Sequence, residues 1–287
     1  MSDKDTERLF IETPPVRLFF KAALPGAAGM LFSSLYYLLE GIIVGRVVGA
    51  DAFAAFNLAV PFVIINFAVS DMIGVGSSVP IAIKLGKGET EEADNIFSCS
   101  VLMIIIAGLL AGMALFPAIF RLMGADDHLI PYAVSYLRVY AVFSPLTTLV
   151  YAVDNYQRIC GRIRRSLLMN IILACSATAL ELLFVAVFGG GIGFAALGTC
   201  IGMTTAVLFG MYPFMRGRMA LRFRRPRFSL PLLKTIVSCG LPTFLSNISG
   251  RVVSIIMNVI LLSLGGATAV SVYGILMSAD GVALPLL

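Results

Sequence analysis

LFSSLYYLLEGIIVG (31–45) decides the fold class: it is an apolar run long enough to lie within a membrane, and it holds one carboxylate, Glu40. A second run, NIILACSATALELLFVAVF (170–188), carries Glu181 in the same way. An ionised side chain at the centre of a membrane helix costs several kcal/mol, so an acid there faces a cavity, a partner or an ion path rather than lipid. A hydrogen bond that glues one helix to the next is the plainer use of such a residue.

The rest of the chain fits that reading. It has 287 residues, 59% of them hydrophobic, and a mean hydropathy of +0.96. Charged residues make up 13%, against about 25% in a soluble domain. Apolar runs recur at 18–44, 53–82, 96–118, 132–156, 166–188, 192–215 and 232–264, and an eighth begins near 268. Each is close to, or longer than, the roughly 20 residues that cross a bilayer. The expected fold is therefore all-α and polytopic. Pro25, Pro61, Pro80, Pro145 and Pro242 fall inside the runs and are the expected kink points. The start, MSDKDTERLFIETPPVR, is hydrophilic and lacks the short apolar core of a cleavable signal, so the first run is expected to remain as a helix.

Seventeen of the 21 Lys and Arg residues fall on one side when the N-terminus is placed in the cytoplasm. They lie before and at the start of the first run, at 84–87, at 158–165 and at 216–234. The outer loops hold Arg46 and Arg121. Positive charge favours the cytoplasmic face, so a cell (inner) membrane protein with a cytoplasmic N-terminus is expected. RGRMALRFRRPR (216–227) resembles a nucleic-acid patch in composition alone. Between two membrane runs it reads as a cytoplasmic loop near anionic headgroups, with no nucleic-acid partner.

No motif of a nucleophilic, nucleotide-dependent or zinc enzyme occurs in the chain. The single His128 and five scattered cysteines give no metal-ligand spacing. With no nucleotide-driven machinery and no cofactor, an ion gradient is the remaining energy source for active transport, the coupling ion being H+ or Na+.

The basic loop divides the chain. Residues 17–54 align without gaps on 234–271, matching Leu24-Pro25 with Leu241-Pro242, Ile43 with Ile260, Gly49-Ala50 with Gly266-Ala267 and Ala52 with Ala269. Six helices separate the copies. An even number gives a parallel repeat about an axis along the membrane normal, with a site between halves. The expected organisation is a six-helix lobe at 1–216, a basic linker at 217–230, and at 231–287 a seventh helix and part of an eighth.

Polar and aromatic side chains line up at helical spacing on four runs. Ser33, Tyr36, Tyr37 and Glu40 share one face of the first. Tyr136, Tyr140, Phe143, Thr147, Tyr151 and Asn155 follow steps of three or four on the fourth. Asn170, Ala174, Ala177, Thr178 and Glu181 do so on the fifth, and Asn247, Arg251, Ser254 and Asn258 on the seventh. Such stripes face a cavity, although Ser, Thr and Asn also serve in helix packing. Aromatic faces beside a carboxylate suit flat or cationic organic molecules. Arg251 needs an acid, with Asp280, Asp71, Asp154 and the two glutamates as candidates.

LYYLLEGIIVGRVVGADAFAAFNLAVPF (35–62), GVGSSVPIAIKLGKGETEEA (74–93), NYQRICGRIRRS (155–166), LELLFVAVFGGGIGFAALGT (180–199) and GLPTFLSNISG (240–250) together resemble, in order and spacing, the multidrug and toxic compound extrusion (MATE) transporters. The resemblance implies two six-helix lobes, alternating access to a central cavity, and cation-coupled export of small organic, often cationic, compounds. It implies about twelve helices, so that the natural frame is expected to continue past Leu287 and to be a monomer when complete. Its partners would be a small-molecule substrate and membrane lipid. It places Glu40 where many members carry aspartate and Glu181 at a second acidic position, as the ion-coupling pair. Tyr136, Asn155 and Thr199 match polar positions of the same lobe. Tyr36 and Asn258 are expected to line the cavity with them. Ala177 departs from an asparagine common in the family. The alternatives are a lipid-linked sugar flippase of the same superfamily and a truncated, non-transporting membrane remnant.

Overall fold

The computed structural model describes residues 14–113 and 127–283. Eight helices organise these residues. α1 (Pro15–Ile43) runs into a π-helical turn (Val44–Val48) and ends at Gly49. α2 is Ala50–Gly86 and α3 is Thr90–Met113. α4 (Ile130–Thr147) and α5 (Leu149–Ile159) form one span, and α6 (Ile163–Leu182) ends in a second π turn (Leu183–Val187). α7 is Ile192–Met215, and α8 (Leu230–Ala283) is broken at Gly266. Six helical stretches among the described residues are long and apolar enough to cross a membrane, beginning with Ala50–Gly86 and ending with Leu230–Gly266. α1 adds a further helix of 29 residues.

The local sequence explains the breaks. Pro145 precedes the end of α4 by two residues, and Thr148 turns its hydroxyl back onto the Ser144 carbonyl at 2.7 Å. Pro25, Pro61, Pro80 and Pro242 lie inside helices that continue through them, so only Pro145 among the five interrupts its helix. α3 opens with Glu91 and Glu92 in its first turn, where acids complement the helix dipole.

α1 to α7 form one bundle, with the core running through all seven. Small residues let the backbones meet, as is general for membrane helices. A methyl group at Gly198 or Gly202 of α7 would overlap the α6 backbone at Glu181 or Ala177. α8 lies outside this bundle. It packs chiefly on α2 and is otherwise almost wholly uncovered.

The basic linker is more tightly held than a loop at a headgroup surface needs to be. The backbone N–H groups of Arg222, Arg224 and Arg227 donate to Asp94 (2.8 Å), Ser98 (2.9 Å) and Asn95 (2.7 Å) on α3. Leu221 is fully buried, and Phe223 packs on Phe97 with ring centroids 4.9 Å apart.

Gly49 and Gly266, paired by the internal alignment, both take positive φ with extended ψ (123°, 173° and 62°, −158°). That region is essentially closed to any residue with a Cβ. Gly49 turns the chain from α1 into α2, and Gly266 breaks α8. A Cβ at Gly49 would meet nothing within 4 Å, so the cost of substitution is conformational rather than steric. Gly49→Ala is expected to destabilise the purified protein by about 1–3 kcal/mol, read as a lower melting temperature. An unchanged melting temperature would show that this backbone conformation is not required.

Candidate functional site

Glu40 sits on the face of α1 that enters the bundle, and it is 1% exposed. Three hydroxyls donate to it. Tyr36, one turn earlier on α1, reaches Oε2 at 2.9 Å, while Tyr136 of α4 and Thr199 of α7 reach Oε1 at 2.9 and 3.2 Å. The aromatic wall continues through Tyr140 and Phe56 against Tyr136, at centroid distances of 5.0 and 5.5 Å. Tyr36, Tyr136 and Thr199 therefore act as a hydroxyl shell for one carboxylate.

Glu181 lies at the end of α6, fully buried, with its neighbourhood closed by Gly198 of α7. Neither carboxylate oxygen has a hydrogen-bond partner among the described residues. Gly198, which packs on the Glu181 backbone, directly precedes Thr199, which donates to Glu40, so the two acids lie against the same stretch of α7. The pair is thus asymmetric. Donors that stabilise a negative charge are concentrated on Glu40, and an unpaired charge on Glu181 would carry its full desolvation cost.

Asn155 does not join this group. It lies 19 positions after Tyr136, roughly 28 Å along the helix axis at 1.5 Å per residue, beside Asp154 near the far end of α5. Asp154 is taken up there by Arg158 at 2.8 Å, by Asn170 at 2.9 Å and by Ser166. Asn170 thereby belongs to this second network, at the opposite end of its stripe from Glu181. The i,i+4 spacing of Asp154 and Arg158 is the sequence signal for this network.

A separate cavity of about 330 Å3 opens between the bundle and α8. All four residues of the seventh-run stripe line it: Asn247, Arg251, Ser254 and Asn258. From the bundle come Tyr37, Asp71 and Tyr151, and Tyr37 and Tyr151 share a hydrogen bond at 3.2 Å. Asp71 accepts from Asn247 at 3.2 Å. Arg251 is near enough to Tyr37 and Tyr151 to act on them electrostatically, and its Nε is buried with no hydrogen-bond partner among the described residues. Of the acids considered for it, Asp154 is bound to Arg158 and Glu40 to three hydroxyls. The side chain of Asp280 lies outside the described residues.

Neighbouring residues of α1 thus serve two sites. Tyr36 holds the buried carboxylate, and Tyr37 faces the cavity. Ser33, on the same stripe, has a side chain outside the described set.

The same arrangement of helices recurs in known proteins. The MatE family profile matches residues 25–183. The multidrug export protein MepA of Staphylococcus aureus is 25% identical over 281 residues, covering 95% of this chain and 61% of MepA. A solved structure of a MATE-family multidrug resistance transporter in its inward-facing conformation is similar at 28% identity, with a TM-score of 0.79 over 84% of this chain and 56% of that one. The MATE multidrug transporter DinF-BH, solved as a complex, matches the fold at a TM-score of 0.87 and 24% identity, over 93% of this chain and 61% of its own. The chain spans less than two thirds of the length of each of these relatives.

Proposed function

The chain belongs to the MATE family of transporters, and from that premise we propose that it forms the first lobe and the start of the second in a cation-coupled exporter of small organic compounds. The observation that carries this is the buried, asymmetric Glu40–Glu181 pair beside a separate polar cavity. An ion site and a substrate site are both required for antiport, and one helix, α1, borders both.

The proposed cycle follows from the electrostatics. With one negative charge held by the hydroxyls around Glu40, a proton or Na+ taken up by the pair neutralises it. A neutral pair is cheaper to enclose in a dry lobe than a charged one. Loss of the charge also removes the reason for Tyr36 and Tyr136 to hold their present hydrogen bonds. Movement of Tyr36 is transmitted along α1 to Tyr37 and so to the wall of the substrate cavity. The π turn that ends α1 gives that helix an irregular segment of a kind common at functional sites. Sodium is the alternative ion, since two carboxylates with hydroxyl oxygens suit a hard cation. The substrate is proposed to occupy the cavity at Asp71, Tyr37 and Tyr151, where aromatic faces and an acid favour flat cations. The basic side of the chain is proposed to be cytoplasmic on the charge distribution.

The test uses the full-length protein in proteoliposomes and a cationic dye, ethidium. Uptake driven by an imposed pH gradient, and abolished by a protonophore, is the expected result, and a sodium gradient in the same vesicles separates the two ions. Absence of uptake with either gradient would overturn the reading.

A further inference from the structure

A second large cavity has no part in the transport cycle described above. It measures about 780 Å3 and lies at the basic-loop end of the bundle, between α1, the start of α6, the end of α7 and the linker. Arg162, Arg164, Arg165 and Arg218 all line it, and no acidic side chain does so among the described residues. The neighbouring stretch of α5 has one carboxylate, Asp154, and that is committed to Arg158, Ser166 and Asn170. Arg165 stacks on the Phe209 ring, its guanidinium carbon 4.8 Å from the centroid, and its Nε is buried with no hydrogen-bond partner among the described residues. A guanidinium held by stacking is suited to a planar or tetrahedral oxyanion.

The remainder of the lining is apolar. Leu24 and Leu168, both largely exposed on α1 and α6, belong to it. Four cations and exposed apolar side chains lining one crevice match the headgroup and chain of one amphiphile. A soluble anion would use only the first. Basic pockets between membrane helices on the cytoplasmic side are suited to acidic lipid headgroups.

We propose that this crevice binds one anionic phospholipid, with its phosphate among Arg162, Arg164, Arg165 and Arg218 and an acyl chain along Leu24 and Leu168. A lipid seated there ties α1, which carries Glu40, to α6, which carries Glu181, through a shared headgroup.

Native mass spectrometry of the full-length protein tests the proposal, with palmitoyl-oleoyl phosphatidylglycerol and palmitoyl-oleoyl phosphatidylcholine as probes. The wild type is expected to retain one phosphatidylglycerol at concentrations where phosphatidylcholine is lost. Arg165→Gln with Arg218→Gln is expected to weaken that binding by about thirtyfold, at about 1 kcal/mol per basic residue. Arg165→Lys with Arg218→Lys keeps both charges and is expected to retain most of it, and equal melting temperatures in phosphatidylcholine check that each variant folds. Equal retention of the two lipids, or an unaltered affinity in the glutamine variant, would overturn the proposal. Displacement of the lipid by millimolar inorganic phosphate would also overturn it, by showing a site for a free anion. None of these readouts depends on export activity, so the transport reading stands or falls separately.

Discussion

Glu181→Gln is expected to lower gradient-driven dye uptake to the level of protein-free liposomes, and Glu40→Gln to do the same, with both proteins remaining folded. Glutamine keeps the size and the hydrogen-bonding outline of a protonated glutamate and removes the ionisable group. At position 181 the described residues supply no hydrogen-bond partner to the carboxylate. The substitution there removes an uncompensated group, and the expected melting temperature is equal to or above that of the wild type. At position 40 glutamine offers one neutral carbonyl oxygen and an NH2 donor where three hydroxyls now donate to both carboxylate oxygens, two of them to Oε1 alone. Hydrogen bonds to a charged acceptor contribute about 1.5–3 kcal/mol each, so Glu40→Gln is expected to melt lower. Loss of coupling in both variants, with stability lowered at position 40 alone, would be the signature of an asymmetric carboxylate pair. Wild-type uptake in both would reduce these residues to helix glue.

Much of this arrangement was legible in the sequence, and the parts that were not have physical reasons. The seventh-run stripe lines one cavity as its helical period directs, whereas the first divides between Tyr36 on Glu40 and Tyr37 on the cavity, and the fifth between Asn170 on Asp154 and the buried Glu181. The convergence of Tyr136 and Thr199 on Glu40 came from the family resemblance, since no spacing rule links residues 96 and 159 positions apart. Asn155 was misplaced because its stripe was carried across Pro145, where α4 ends and α5 restarts, and because position along the axis matters as much as face. Asp71 entered the sequence reading only as a candidate acid for Arg251 and showed no stripe, since its neighbours at three and four positions are apolar. Its partner Asn247 lies 176 positions away. The linker illustrates another limit. Its arginines read as a charge pattern, whereas its backbone N–H groups, bonded by Asp94, Asn95 and Ser98, fix its path.

Gly76→Ala and Gly240→Ala are expected to abolish transport through a different route, by preventing closure of the lobes on the basic-loop side of the substrate cavity. Gly76 lies ten residues before the end of α2, and Gly240 ten residues after the start of α8. A methyl group at Gly76 would overlap the carbonyl oxygen of Ile236, and one at Gly240 would overlap that of Met72. Backbone oxygens cannot rotate away as a side chain can, so the two helices must separate. The cavity residues Asp71 and Asn247 lie five and seven positions along the same two helices from this contact, so the seam is proposed to close the cavity on that side. Alternating access requires such a seam to close and open in turn. Overpacking costs about 1–3 kcal/mol. If all of it falls on the closed arrangement, the closed-to-open ratio shifts by about 5- to 150-fold. Cys239, beside Gly240 and half-buried, reports on the seam once the other four cysteines are replaced. Its reaction with a soluble maleimide is expected to quicken in Gly76→Ala, while dye uptake falls to background. Unchanged labelling together with unchanged uptake would show that the helices pass this point without needing contact, and the gate would then have to be sought elsewhere along α2 and α8.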